Sequence, residues 1–256
     1  MSDAASSGEA PPCFFLCIGF PKCGTTFLFE AIEASTHAVA LRHPATGGSE
    51  IADGIFDCEG LDPRRSYVAK TPTWILDERC LRRLAATLSR RFRVVPVACV
   101  RDPAEQLASY RAHRARVEGL AFPSMAQFCA ARDCAAPALP YAACATFAPH
   151  LRAAIRVFGA DALRVVHNDA LRECDMPRLA NFLSLPSLPD RAAPPPRARI
   201  PDDAFSPAER RHWRAAWRAA LDVLAAAGVA ALEPKAGLHL DPDDPGGALL
   251  PELSAE

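Results

Sequence analysis

The chain has 256 residues, half of them hydrophobic, with 29 Lys and Arg against 30 Asp and Glu and a net charge of −1. That length and apolar content bury a core and exclude a disordered chain. The charge balance excludes a generally basic nucleic-acid binder, and no run reaches the roughly 20 apolar residues of a membrane helix. Among the basic residues only Lys22, Lys70 and Lys235 are lysine, which leaves 26 arginines. In so Arg-rich a chain, each lysine position asks for a chemical reason.

Residues 1–12 are polar and acidic and read as a flexible leader without the basic start and apolar run of a secretory signal. Residues 13–232 then read as one domain, and 233–256 as an acidic, Pro/Gly-rich tail. Cytoplasmic location is the expectation. The ten cysteines form no C-x-x-C pair and no zinc spacing, so they read as reduced and mostly structural.

In chain order, Cys13 to Gly19 is an apolar run expected to be a strand buried on both faces. Phe20 to Gly24 is a tight loop. Thr25 to Ser35 follows with a helical stripe of Phe27, Leu28, Ala31 and Ile32. Val39 to Leu41 forms a short strand, and 42–65 a long loop. Ser66 to Lys70 is a strand ended by Thr71-Pro72. Asp77 caps a helix reaching about Arg91. Arg93 to Val100 reads as another buried strand, in which Pro96 is an awkward fit. Asp102-Pro103 places a cap and a first-turn proline in the order that opens a helix. Phe147 to Phe158 is a helix, Leu163 to His167 a strand and Met176 to Leu183 a helix. A Pro-rich linker from Leu185 to Pro201 precedes a long helix from Ser206 to about Ala227. Strands alternating with helices predict an α/β fold: three layers, with a mostly parallel central sheet flanked by helices.

Two segments carry chemistry. Gly19-Phe-Pro-Lys22-Cys23-Gly24-Thr25-Thr26 lies between a strand and a helix, where loop N–H groups and a helix N-terminus make an anion site. Its glycines match the Walker spacing, but the lysine sits inside the loop, at Lys22, rather than after Gly24. Arg101 lies at the end of the strand 93–100, at the sheet edge where open α/β folds bind ligands. Ser109 follows eight residues on, about two helical turns away.

Pro21-Lys22-x-Gly24-Thr25-Thr26 resembles the 5′-phosphosulfate loop of sulfotransferases that use 3′-phosphoadenosine 5′-phosphosulfate (PAPS). Arg101 with Ser109 resembles that family's clamp on the 3′-phosphate. Lys70-Thr-Pro-Thr-Trp74 resembles the K-T-P-x-[YF] segment of the carbohydrate (heparan sulfate-type) sulfotransferases and their bacterial relatives. The stretches Phe147 to Arg172 and Leu179 to Pro186 resemble the family's closing helix–strand–helix. The likeness spans about 13–186, and more loosely 206–228. It implies a P-loop sulfotransferase-like fold with PAPS as donor and no metal. It further implies loop positions Cys23 to Thr26 on the 5′-phosphate, Lys22 on the bridging oxygen, and Lys70 near the sulfuryl group or acceptor.

The carbohydrate branch carries a Glu base in a K-E-P run about twenty residues after the loop lysine. Here that run is Arg42-His43-Pro44, so His43 becomes the expected general base, with Glu50 as the fallback and His37 a poorer candidate. The implied acceptor is a small-molecule or glycan hydroxyl, with neither nucleic acid nor membrane as partner. Arg42, Arg64, Arg65, Arg111, Arg114 and Arg116 fit either an acidic glycan or a solvated surface. From their position alone, Arg197 and Arg199 in the Pro-rich linker are expected to close over the cofactor. Two alternatives share the loop: a P-loop small-molecule kinase or nucleotidase, and a sulfotransferase-like binding protein that has lost catalysis.

Overall fold

A computed structural model describes residues 12–51, 58–132, 139–192 and 204–237. Cys134, Arg197 and Arg199 and most of the leader and of the tail lie outside these residues. Six parallel strands form one sheet: β1 (Cys13–Gly19), β2 (Val39–Ala40), β3 (Tyr67–Lys70), β4 (Arg93–Val100), β5 (Arg164–His167) and β6 (Ala230–Leu232). Their spatial order is β2-β3-β1-β4-β5-β6, each neighbouring pair parallel. Among the described residues eight α-helices accompany the sheet, so the expected α/β architecture of a parallel sheet between helices is the one found. They are α1 (Thr25–Ala34), α2 (Glu78–Leu88), α3 (Pro103–Glu118), α4 (Met125–Ala130), α5 (Phe147–Phe158), α6 (Asn168–Arg172), α7 (Met176–Leu183) and α8 (Pro207–Ala227).

The central strands are apolar throughout because both faces are covered. Phe14, Leu16, Cys17 and Ile18 in β1 and Val97 to Val100 in β4 are wholly buried. The connection from β1 leads to one side of the sheet and that from β4 to the other. The crevice at the switch between them opens at the C-terminal ends of β1 and β4. Register brings the key positions to this one edge. Cys17 pairs with Lys70, Gly19 with Ala98, and Val100 with His167.

Pro96 fits the sheet for a local reason. It pairs with Leu16 on one side, while β5 joins β4 only from Val97 onward. The missing N–H therefore falls where the strand has a single ladder to keep. The caps at Asp77, Asp102 and Ser206 hold as expected, and Ser206 forms a full capping box with Glu209. Among the described residues, five short elements were not expected: β6, α4, α6 and the short helices at 74–76 and 141–145. Each is too short to show a periodicity of its own.

An aromatic chain runs from the loop after β1 into the helical layer. Phe20 packs on Phe147 at 4.3 Å, Phe147 on Trp217 at 5.9 Å, and Trp217 on the His167 ring at 5.5 Å. His167 is 2 % exposed, and its Nε2 has no partner among the described residues. Burial holds this imidazole down at about 4, from an ordinary 6.5. The folded state therefore resists protonation that the unfolded chain accepts. Stability is unaffected above pH 6.5, falls as pH drops through the window from 6.5 to about 4, and levels off below it. The loss attributable to this group is about 3 kcal/mol. Urea unfolding at pH 7.5 and pH 4.5 checks it: His167→Phe, which keeps the packing on Trp217, loses distinctly less stability over that interval than the wild type.

Candidate functional site

The site begins where β1 ends. At Gly19 a Cβ would lie 2.3 Å from Ile75 Cγ2 and 3.0 Å from the Pro72 carbonyl oxygen, so glycine lets the segment after β3 close against the strand. Thr71 N–H donates to Cys17 O at 3.2 Å, tying the end of β3 to β1, and Phe20 N–H donates to Cys99 O at 2.9 Å, tying the loop to β4.

The loop then turns its carbonyls toward the protein. Gln106 Nε2 donates to Pro21 O at 2.9 Å and to Cys144 O at 3.1 Å. Asn168 Nδ2 donates to Cys23 O at 3.1 Å. Arg101 Nη1 lies 3.5 Å from Lys22 O. Three successive carbonyls are thus met from behind, by residues of α3, α6 and the end of β4. Gln106 is fully buried and Asn168 nearly so. Sequence reasoning passed over both. The one cue for Gln106 was an amide on the buried stripe of α3, beside Leu107. Asn168 falls in the stretch that resembles the family's closing helix–strand–helix, with no local signal of its own.

Cys23 N–H turns back onto Phe20 O at 3.2 Å, and the loop then leads into α1, whose first N–H groups stay open. Gly24 adopts φ 99°, and a Cβ there would lie 2.8 Å from both Asn168 Nδ2 and Leu171 Cδ1. A side chain at 24 is thus opposed both by the backbone conformation and by the packing. Gly24 is also the N-cap of α1, so no side chain satisfies the first-turn N–H groups, and no acidic residue lies in that turn. Thr25 is buried and Thr26 exposed. Uncapped N–H groups at the positive end of a ten-residue helix favour an anion.

Cations gather at the same edge. Lys22, at φ 62°, has no hydrogen-bond or ion-pair partner for its ammonium among the described residues. Burial lowers its proton affinity, and Arg116, Lys70 and Arg101 lower it further, with Glu50 partly offsetting them. Lys70 is 2 % exposed. Its Nζ donates to Thr26 Oγ1 at 2.8 Å and pairs with Glu50 Oε1 at 3.1 Å. Glu50 is brought there by a parallel bridge to Lys70 beyond the end of β3, and its side chain is 60 % exposed.

The remaining expected residues are placed as follows. Arg101 is nearly buried, with Nε paired to Glu105 at 2.9 Å. Ser109 is half-buried on α3, and no hydrogen bond joins it to Arg101 among the described residues. His43 sits in a turn closed by its own backbone, with His43 N–H on Gly48 O and Gly47 N–H on His43 O, both at 2.8 Å. Its Nδ1 accepts from Ala45 N–H at 3.2 Å. No hydrogen bond or ion pair joins His43 to Lys22, Lys70 or Thr26 among the described residues. His37 Nε2 lies 3.5 Å from Ser187 Oγ. Arg42 pairs with Glu33, and Arg64 with Asp62. Lys235, which had no expected role, pairs with Asp175 at 2.9 Å and ties the end of the described chain to the start of α7.

No family model and no curated protein matches the chain. Among solved structures it is similar to a sulfotransferase from Alicyclobacillus acidocaldarius, with a TM-score of 0.55 and 15 % identity over 86 % of this chain and 97 % of that one. At that identity the likeness concerns the fold: this chain has the α/β fold of a sulfotransferase. Among the described residues no group of three His, Cys, Asp or Glu is placed to hold a metal, and no helix is long and apolar enough to cross a membrane.

The buried amides give a direct test of the loop. Asn168→Ala removes the donor to Cys23 O and opens space beside Gly24. We expect a loss of about 1–3 kcal/mol in unfolding free energy by denaturant titration, with the far-UV spectrum retained.

Proposed function

We propose that this chain is a sulfotransferase that takes its sulfuryl group from PAPS and delivers it to a hydroxyl of a carbohydrate or small metabolite. The observation that carries the reading is Lys22: a half-buried ammonium without a partner among the described residues, set in a loop that leads into the uncapped N-terminus of α1. A buried charge asks for a counter-charge, and a phosphate or sulfate group on the loop supplies it.

The residues present fit such a donor. The amides of Gly24 to Thr26 and the Thr26 hydroxyl suit the 5′-phosphate, with Lys22 on the bridging oxygen, whereas the expected Cys23 amide is taken by Phe20 O at 3.2 Å. Arg101 and Ser109 lie at the edge where the nucleoside would extend. When bound, PAPS supplies an activated sulfuryl group on a phosphate leaving group, suited to in-line transfer. Lys22 neutralises charge that grows at the bridging oxygen, and a compact ammonium fits a tight loop better than a planar guanidinium. Lys70, held against Thr26, orients that hydroxyl and adds positive charge beside the sulfuryl oxygens.

For the base, the geometry favours Glu50 over His43. Glu50 is exposed to an incoming hydroxyl and anchored to Lys70 beside the loop. It takes the acceptor proton at Oε1 or Oε2. His43 spends Nδ1 on its own turn. The alternative of a kinase or nucleotidase predicts a different ligand, and a decayed binding protein predicts binding without turnover.

Adenosine 3′,5′-bisphosphate should raise the melting temperature by about 5 °C at a hundredfold excess over Kd without added metal, and ATP with magnesium should do less. The reverse order would favour the kinase. Lys22→Ala should abolish sulfuryl transfer while melting cooperatively; near-normal turnover in that variant would refute the assignment. Glu50→Gln should lower kcat by about 10²–10⁴, and His43→Ala by less than tenfold. The opposite ranking would return the base to His43.

A further inference from the structure

β3 ends on Lys70, and the next two residues are Thr71 and Pro72. On one side Thr71 stays tied to the sheet, its N–H on Cys17 O at 3.2 Å, and its carbonyl accepts from Trp74 N–H at 3.1 Å as the chain turns away. On the other side runs the extended stretch that carries Glu50, joined to β3 by the parallel bridge between Glu50 and Lys70. In that register Ile51 N–H donates to Lys70 O, here at 3.3 Å. The next bond of a parallel ladder would run from the N–H of residue 72 to Ile51 O. Residue 72 is proline and has no N–H to give.

The Thr71 hydroxyl stands in for the missing donor. Thr71 Oγ1 donates to Ile51 O at 2.6 Å and accepts from Ile51 N–H at 3.1 Å. It also lies 2.6 Å from Lys70 O, but that carbonyl already accepts from Ile51 N–H. One half-buried side chain thus serves both backbone groups of Ile51 at the point where the ladder stops. Ile51 is itself buried, so its backbone groups are satisfied from within the protein.

Two successive residues of one strand end therefore grip Glu50 in different ways. Lys70 Nζ holds its side chain, pairing with Oε1 at 3.1 Å while donating to Thr26 Oγ1 at 2.8 Å. Thr71 holds its main chain, through the peptide groups of the next residue. The Glu50 side chain is largely exposed, and its Oε2 makes no hydrogen bond among the described residues. The ion pair alone fixes one oxygen and leaves the backbone free to shift. A carboxylate that must meet a hydroxyl proton at hydrogen-bond distance tolerates little such displacement.

We infer that Thr71 is the positioning residue for the general base: its hydroxyl replaces the ladder donor that Pro72 lacks, fixes the main chain at Ile51, and so sets where the Glu50 carboxylate stands. The inference rests on the assignment of Glu50 above and deepens it by naming what holds that residue in place. Thr71 acts through the backbone of residues 50–51 and not on the reacting atoms. A threonine needed only to close the strand would leave catalysis untouched when its hydroxyl is removed.

The test is a double-mutant cycle on the full chain, read by PAPS turnover, by nucleotide affinity and by amide hydrogen exchange. Thr71→Val keeps the shape of the side chain and removes the hydroxyl. Exchange at the Ile51 amide should become about fivefold faster or more, the effect of one lost hydrogen bond, with the amides of Tyr67 to Lys70 unchanged. Turnover should fall about ten- to hundredfold, the range that a misplaced catalytic group costs. Affinity for adenosine 3′,5′-bisphosphate by calorimetry should stay within about threefold, and Thr71→Ser, which keeps the hydroxyl, should hold turnover within about threefold of the wild type. In a Glu50→Gln background, Thr71→Val should cost less than about threefold more, because the two residues act as one unit. The full cost in that background, or unchanged turnover in Thr71→Val despite faster exchange at Ile51, overturns this inference alone. So does a loss of bisphosphate affinity that matches the loss of turnover, which would place the damage in the anion loop. A wild type without PAPS turnover, or a Glu50→Gln variant with near-normal turnover, overturns the reading on which the inference rests. Thermal melting shows whether each variant is folded; if Thr71→Val does not melt cooperatively, Thr71→Ala takes its place in the cycle.

Discussion

Everything at the site depends on how the backbone of one loop is satisfied. Between β1 and α1 the chain must reverse with little room, and the carbonyls of Pro21, Lys22 and Cys23 point into the protein. Buried carbonyls need donors. Gln106 and Asn168 supply buried amides, and Arg101 adds a guanidinium from the end of β4. Because the carbonyl side is met from behind, the first N–H groups of α1 are free to face an anion. Reversing that polarity would leave three buried acceptors unpaired and remove the positive end of α1 from the site.

The same arrangement explains why two side chains at the edge are lysines. Lys70 lies almost fully buried at the end of β3, between Thr26 and Glu50, and a long flexible stem with a compact head can end there. Lys22 sits at positive φ in the loop itself. Arginine occurs elsewhere as a planar partner: on Glu33, on Glu105, on Glu118, and on the carbonyls of Cys58 and Leu61. Net charge near zero is compatible with a local positive edge, because the surface charges largely neutralise one another in pairs.

Packing links this edge to the rest of the molecule. Phe20 belongs to the loop, and through Phe147 and Trp217 it is continuous with the buried side of α8. The long C-terminal helix thereby contributes to holding the loop, although it is more than 180 residues away in sequence. His167 ends the same aromatic chain, and the next residue, Asn168, holds Cys23 O. Burial of this histidine and support of the loop are therefore features of one short segment at the end of β5.

Local pattern in the chain was enough for much of this. Apolar runs of strand length, caps at Asp77, Asp102 and Ser206, and the glycine spacing after β1 determined the alternation of strands and helices and placed an anion loop at a strand end. Their causes are short-range: side-chain periodicity, orphan N–H groups and φ restrictions act within a few residues. What joins distant segments was decided only by the tertiary structure. Glu50 reaches Lys70 because an extended stretch after the His43 turn runs beside β3, a register no local pattern records. Gln106 and Asn168 matter because the fold brings their amides to carbonyls 85 and 145 residues away. Arg101 was legible as a cation at the sheet edge, but Glu105, one helical turn on, determines how much of its charge remains, and that depends on both groups being buried together. Position along the chain shows which charges exist; only burial and pairing decide which of them are left to meet a ligand.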